Sequence, residues 1–265
     1  VKIGYVQYDV DFGHPRRNMT RAEELIREAS EADLLVLPEL GFTGYDFVDT
    51  EEVHEHAEYK DEGDSLDFMR DLAAELSMTL VLGYPEKTTR YMYNSCRLVT
   101  PDGDFYNYRK MHLFSREKEL FLPGDQPPPI ITTPAGRVGV MICFDWFFPE
   151  TARLLALGGA QIIAHPSNLV LQYCQRAMYA RSIENRVFTI TANRTGTEDR
   201  AGRELTFTGA SQVVSPQGEY LVQATEDGMH AQWVDVDPGL ADDKYVTDHN
   251  MLWEDRRTEL YRGLV

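Results

Sequence analysis

Two rhythms of hydrophobic and polar positions alternate along the chain. The opening VKIGYVQ is almost continuously apolar, which predicts a buried strand. MTRAEELIREASEA then spaces Met19, Ala22, Leu25, Ile26 and Ala29 onto one helical face. DLLVLPE predicts the next strand. DSLDFMRDLAAELSM is helical, with Leu66, Met69, Leu72 and Leu76 in register and Asp64 or Ser65 as the cap. TLVLGY returns to strand, and YMYNSCRLVT and DFYNYRK flank the turn signal PDGD as a hairpin.

The second half repeats this order. RVGVMIC predicts a strand. FPETARLLALGGA predicts a helix with Pro149 in its first turn and Gly158-Gly159 at its end. QIIAHPS is a strand, QRAMYARSIENR a helix with Ala177, Ala180, Ile183 and Val187 aligned, and VFTITANR a strand. ASQVVSPQGEYLVQAT and AQWVDVDP predict hairpin strands. A β-α-β-α-β order therefore occurs twice, so the fold class is α/β with helices covering largely buried strands. No low-complexity linker divides the halves, and Pro127-Pro128-Pro129 is a short rigid loop. The expected organisation is one domain over 1–265, with the polar stretch 240–265 as a C-terminal arm or tail. Two small doubly wound domains are the alternative that pattern leaves open.

Composition narrows the class. Over 265 residues, 43% hydrophobic content suffices for a core of that size. A net charge of -17 argues against nucleic acid and against anionic membrane surfaces as partners, because phosphates would be repelled. The apolar runs are strand-sized, far below the ~20 residues of a membrane helix. VKIGYVQYDV has neither a basic leader nor a long apolar run, so no targeting segment is expected. Three cysteines, Cys96, Cys143 and Cys174, make neither a disulfide framework nor a zinc site, and point to a reducing, cytoplasmic setting. Phosphate-cradling and serine-hydrolase motifs are missing, and His54-Glu55-His56 lacks the HExxH pattern, so neither cofactor nor metal is expected.

Chemistry concentrates where apolar strands stop. DLLVLPE ends on Glu39, DFYNYRK on Lys110 and RVGVMIC on Cys143. In α/β sheets, ligands gather beyond the carboxyl ends of strands. A lone cysteine on a strand is usually packing, and a glutamate or a basic pair at a loop is usually solvated. The joint placement of an acid, a cation and a thiol beside unusual loops outweighs those readings. A thiol is mostly protonated at neutral pH, so Cys143 as nucleophile needs a proton acceptor, for which Glu39 is the candidate.

The segments LPELGFTGYD, YRKMHLF and GVMICFDWFFPE resemble the glutamate, lysine and cysteine segments of the nitrilase superfamily of carbon–nitrogen hydrolases. Their order matches, as do intervals of about seventy and thirty residues. FLPGD, HPSN and ENRVFTITANR extend the resemblance over nearly the whole chain, with wording closest to a thermoactive aliphatic nitrilase or amidase-like subgroup. The resemblance implies a four-layer α-β-β-α sandwich that forms a homodimer or higher homo-oligomer. It implies Glu39 as general base, Cys143 as nucleophile, and Lys110 with the backbone N–H of Phe144 as donors to the developing oxyanion. It also implies an accessory glutamate in SREKELF, read as Glu117 rather than Glu119, orienting Lys110. Tyr45, Trp146, Phe147, Asn168 and Tyr173 are expected near the substrate, and Arg176 either meets a substrate carboxylate or forms a helix ion pair. Asp145 and Glu150 are expected to hold the turn and the helix start, and a Cys143 dyad with His112 or His165 ranks below the Glu–Lys–Cys set. Plant and bacterial nitrilases carry Cys-Trp-Glu where this chain has Cys143-Phe144-Asp145, which favours a small amide substrate over a nitrile; hydrolysis of an N-carbamoyl compound is a further alternative that shares the same three residues. A substrate-binding regulatory protein on the same scaffold is the non-enzyme alternative.

Overall fold

The computed structural model describes residues 1–200 and 202–264. Its first half runs β1 (Lys2–Gln7), α1 (Pro15–Glu28), β2 (Leu34–Val36), α2 (Thr50–His56), α3 (Asp64–Leu76), β3 (Thr79–Lys87), β4 (Met92–Val99) and β5 (Phe105–Arg109). After the short α4 (Glu117–Leu120) come β6 (Ile130–Thr133), β7 (Gly136–Val140), α5 (Pro149–Leu157), β8 (Ile162–Pro166), α6 (Cys174–Asn185) and β9 (Phe188–Ala192). The ribbon β10 (Thr197–Arg200) and β11 (Arg203–Thr206) precedes β12 (Gln212–Val214), β13 (Tyr220–Gln223) and β14 (His230–Asp235).

Two mixed six-stranded sheets result. One has the order β14-β1-β2-β3-β4-β5, the other β13-β12-β9-β8-β7-β6. In each, three consecutive strands joined by helices run parallel, β1-β2-β3 and β7-β8-β9, as crossover connections require. The sheets pack face to face through β1, β2 and β3 against β8, β9 and β12. Helices α1 and α3 cover one outer face, and α5 and α6 the other, giving the α-β-β-α layering. Side chains of the first sheet alternate accordingly. Ile3, Tyr5, Leu34, Val36 and Val81 enter the core between the sheets, while Val6, Leu35, Leu37, Leu80 and Leu82 pack under α1 and α3. Both faces are buried, so the strands read as unbroken apolar runs rather than alternating ones. Each such Leu or Ile contributes roughly 1.5–3 kcal/mol of burial.

Three expectations change. α1 begins at Pro15, four residues before Met19, because the fixed φ of proline suits a first helical position. AQWVDVDP does not stay with its preceding hairpin: β14 crosses back and pairs antiparallel with β1, from Lys2 opposite Asp235 to Gln7 opposite His230. The buried face of α6 is Cys174, Gln175, Met178, Ser182 and Asn185; of the aligned residues, Val187 is buried just past the helix and Ala177 packs partly against the core, whereas Ala180 and Ile183 face outward, Ile183 being 41% exposed. The inward face is polar and mostly hydrogen-bonded, although Asn185 Oδ1 has no partner among the described residues. The Ser182 hydroxyl lies 2.8 Å from that of Thr189, and Gln175 donates to the Gly209 carbonyl at 3.1 Å.

Candidate active site

Glu39 lies three residues beyond β2, where the chain turns through Leu40 at φ 48°. The turn packs onto β3 so closely that a Cβ on Gly83 would sit 2.5 Å from the Glu39 Cα, and only glycine fits there. Its carboxylate is fully buried. Oε1 accepts from Asn94 Nδ2 at 2.7 Å and from Lys110 Nζ at 2.6 Å, while Oε2 has no partner among the described residues.

Lys110 follows β5 directly. Its N–H donates to the Asn94 carbonyl, and its carbonyl accepts from Gly124 N, both at 2.8 Å. A Cβ on Gly124 would fall 2.2 Å from the Arg109 oxygen, so the FLPGD segment needs its glycine to close over the lysine strand. The ammonium, itself fully buried, bridges Glu39 and Glu117, the latter at 2.8 Å. Glu117 opens α4 after Ser115 at φ 49°. Its Oε1 also accepts from the Tyr45 hydroxyl at 2.7 Å, and Oε2 from Phe114 N at 3.1 Å. Glu119 instead points to solvent and pairs with Arg116.

Cys143 starts the 3₁₀ turn Cys143–Phe147 after β7, at φ 39°. For a residue with a Cβ this left-handed backbone is strained, and such strain persists only where neighbours over-determine it. Here Asp145 does so. Its Oδ2 accepts from Ile142 N at 2.9 Å and the Tyr108 hydroxyl at 2.8 Å, and its Oδ1 from His112 N at 3.1 Å. The His112 ring Nδ1 lies 2.7 Å from that same oxygen. One buried carboxylate thus ties the lysine segment to the cysteine turn. His165 Nε2 lies 2.9 Å from the Cys143 carbonyl, and burial lowers that imidazole to about 4, so it is neutral and donates there. It holds the backbone of Cys143 rather than its sulfur. Asn168 touches both halves of the site: its carbonyl lies 3.9 Å from the Cys143 Sγ, and its Nδ2 donates to the Glu39 carbonyl at 2.8 Å.

Charge and burial oppose one another here. Burial alone would lower Lys110, but the carboxylates of Glu117 and Glu39 reverse that and raise it, so it stays an ammonium. Burial, and then the neighbouring Glu117, raises Glu39 above the ordinary carboxylate range, against the pull of Lys110. Burial and the Glu39 charge push the Cys143 thiol well up, so the resting sulfur is protonated and lies within the field of Glu39, Lys110 and Glu117.

Of the residues expected near substrate, Trp146 and Asn168 line the cleft over Cys143, with Phe114, Phe144, Leu169, Val170 and Leu171. Tyr45 is held inside the glutamate–lysine cluster. Phe147 and Tyr173 are about half exposed and stand beside Trp146 rather than in the cleft wall. Arg176 lines a different surface groove, with Gln172 and Glu226, and meets nothing at the thiol. Cys174 and Cys96 are buried. Sequence reasoning missed Asn94, whose only signal is a polar residue on an inward position of a strand. It also missed the apolar wall at 169–171. Among the described residues, no group of three or more His, Cys, Asp or Glu could hold a metal ion, and no helix is long and apolar enough to cross a membrane.

The fold and this cluster define a class, and comparison with known proteins agrees: the chain belongs to the carbon–nitrogen hydrolase family, whose model matches residues 2–244. It is an enzyme of the nitrilase superfamily. It is 46% identical over 263 residues to a nitrilase of Pyrococcus abyssi, covering 98% of this chain and 99% of that one. It is 33% identical to an (R)-stereoselective amidase of a Pseudomonas species, covering 98% and 95%. Among solved structures it resembles an amidase of Nesterenkonia sp. AN1, in a mutant form carrying acrylamide added at its active-site cysteine. The TM-score is 0.82 at 27% identity, with both chains covered in full.

Proposed function

We propose that the chain hydrolyses a small primary amide to a carboxylic acid and ammonia through a thioester on Cys143. The observation that carries this reading is the fully buried Lys110 bridging Glu39 and Glu117 within the charge field of a strained, protonated cysteine. Glu39 takes the thiol proton as the sulfur attacks the carbonyl carbon. Negative charge then builds on the carbonyl oxygen and meets Lys110 and the N–H of Phe144, which stands near the start of a 3₁₀ turn where amides have no partner within the turn. As the C–N bond breaks, Glu39 returns its proton to the nitrogen and ammonia leaves. Water next loses a proton to Glu39 and attacks the thioester, and the acid departs as the thiol is restored. Glu117, itself anchored by Tyr45 and Phe114 N–H, holds Lys110 in place.

The cleft over Cys143 is narrow, walled by Phe114, Phe144, Trp146, Leu169 and Leu171. This favours acyl groups of few carbons. The Nesterenkonia amidase, modified by acrylamide at its cysteine, supports an amide at the equivalent place. A nitrile is the second reading, favoured by the name of the Pyrococcus relative, and would use the same thiol. We further infer a single domain with 240–265 as an arm, a homodimeric or larger assembly and a reducing, cytoplasmic setting; the buried free thiols support the last. Ammonia release from a panel of small amides, nitriles and carbamoyl compounds tests the function. Turnover of amides above nitriles is expected. Turnover of nitriles alone, or of nothing in the panel, refutes it.

A further inference from the structure

Resting on the amidase reading, we propose that the side-chain oxygen of Asn168 accepts an N–H of the scissile carboxamide, and so selects amides over substrates of the same acyl group without that N–H. Asn168 is 3% exposed and lines the cleft over Cys143 in an otherwise apolar and aromatic wall. Its Nδ2 is committed to the Glu39 carbonyl, which fixes how the amide plane is turned. Its Oδ1 is buried and has no partner among the described residues. A buried carbonyl oxygen without a donor is costly, and in a binding site it marks where a donor from the ligand belongs.

The placement of the residue narrows the donor. The Asn168 main-chain carbonyl faces the sulfur that attacks, and its side chain is bonded to the residue read as the base. A group held between those two contacts lies beside the carbon attacked by sulfur and the nitrogen protonated by Glu39. A primary carboxamide carries two N–H donors on that nitrogen. Two further buried oxygens at the site lack a partner among the described residues, Glu39 Oε2 on the carboxylate read as the base and Asn94 Oδ1 behind it. Of these, Asn168 Oδ1 belongs to a residue that lines the cleft over Cys143, which makes it the acceptor for one of the two amide donors. An ester of the same acid offers neither, although it gives the same thioester and shares every later step. Sites built to bond a polar hydrogen discriminate strongly against analogues lacking it, because their own groups are then left unpaired.

The test compares kcat/KM for propionamide and methyl propionate in the wild-type enzyme and in Asn168→Ala, with melting checked first. Asn168→Leu, close in volume, replaces it if the alanine variant does not fold. The amide-to-ester ratio is expected to fall about 10- to 100-fold, the worth of one buried hydrogen bond. An unchanged ratio, including a parallel loss on both substrates as a purely structural role would give, overturns the assignment. A wild-type enzyme that cleaves the ester and no amide refutes the amidase reading itself, and this inference falls with it.

Discussion

Glu117→Gln probes the cluster with the least change of shape. The glutamine keeps the volume, and its oxygen can still accept from the Tyr45 hydroxyl and Lys110. What disappears is one negative charge and the acceptor for Phe114 N–H. Lys110 keeps that bond but loses one of its two ionised acceptors, a weakening of about 1–2 kcal/mol, so kcat/KM for an amide should fall about 5- to 30-fold. A second effect has the opposite sense for Glu39. One ammonium holds both carboxylates, so their nearest oxygens lie within roughly 5.5 Å, and at an effective dielectric near 20 they repel by about 3 kcal/mol. Burial and then Glu117 raise Glu39 in the wild type. The base works only when ionised, so activity is lost as pH falls through its titration. Neutralising Glu117 relieves the repulsion, Glu39 ionises more readily, and the acid limb of kcat/KM moves to lower pH. Ammonia release measured across pH for both proteins gives the limb and the plateau together. A plateau within about twofold of wild type, or a limb that stays or moves upward, refutes this account of the cluster.

Two further variants separate chemistry from scaffold. Glu39→Gln keeps an oxygen for Lys110 and Asn94 but removes the proton acceptor, so amides should yield neither ammonia nor acyl-enzyme; normal acyl-enzyme seen by mass spectrometry would count against the base assignment. Asp145→Ala strands the donors of Ile142, Tyr108 and His112 and should cost about 3–5 kcal/mol, read as a melting temperature lower by roughly 10 °C; a fall of under about 2 °C would show that the carboxylate does not secure the turn.

Much of the fold was legible because both faces of each sheet are buried. Runs such as DLLVLPE and RVGVMIC stand out against amphipathic helices, and their ends mark where Glu39 and Cys143 turn away from the sheet. What was not legible depends on contacts between distant segments. Nothing local says that β14 will cross back to β1. The inward face of α6 includes Ser182 and Gln175, whose partners Thr189 and Gly209 lie outside the helix, so a hydropathy stripe points to the wrong side. The site divides the same way. Glu39, Lys110, Glu117 and Cys143 carry their chemistry in their residue type, whereas Asn94 and the Asn168 oxygen acquire theirs only from what the folded chain places beside them.

The central claim is that a thiol, a carboxylate and an ammonium gathered at one buried point make and break an acyl–sulfur bond. Intact-mass measurement after rapid quenching with small amides tests it most directly. The account predicts an added acyl mass that maps to the peptide containing Cys143. It also predicts loss of that adduct and of ammonia release in Cys143→Ala, with the circular dichroism spectrum retained. Ammonia released at the wild-type rate by Cys143→Ala, or an acyl group found on another residue, would contradict it.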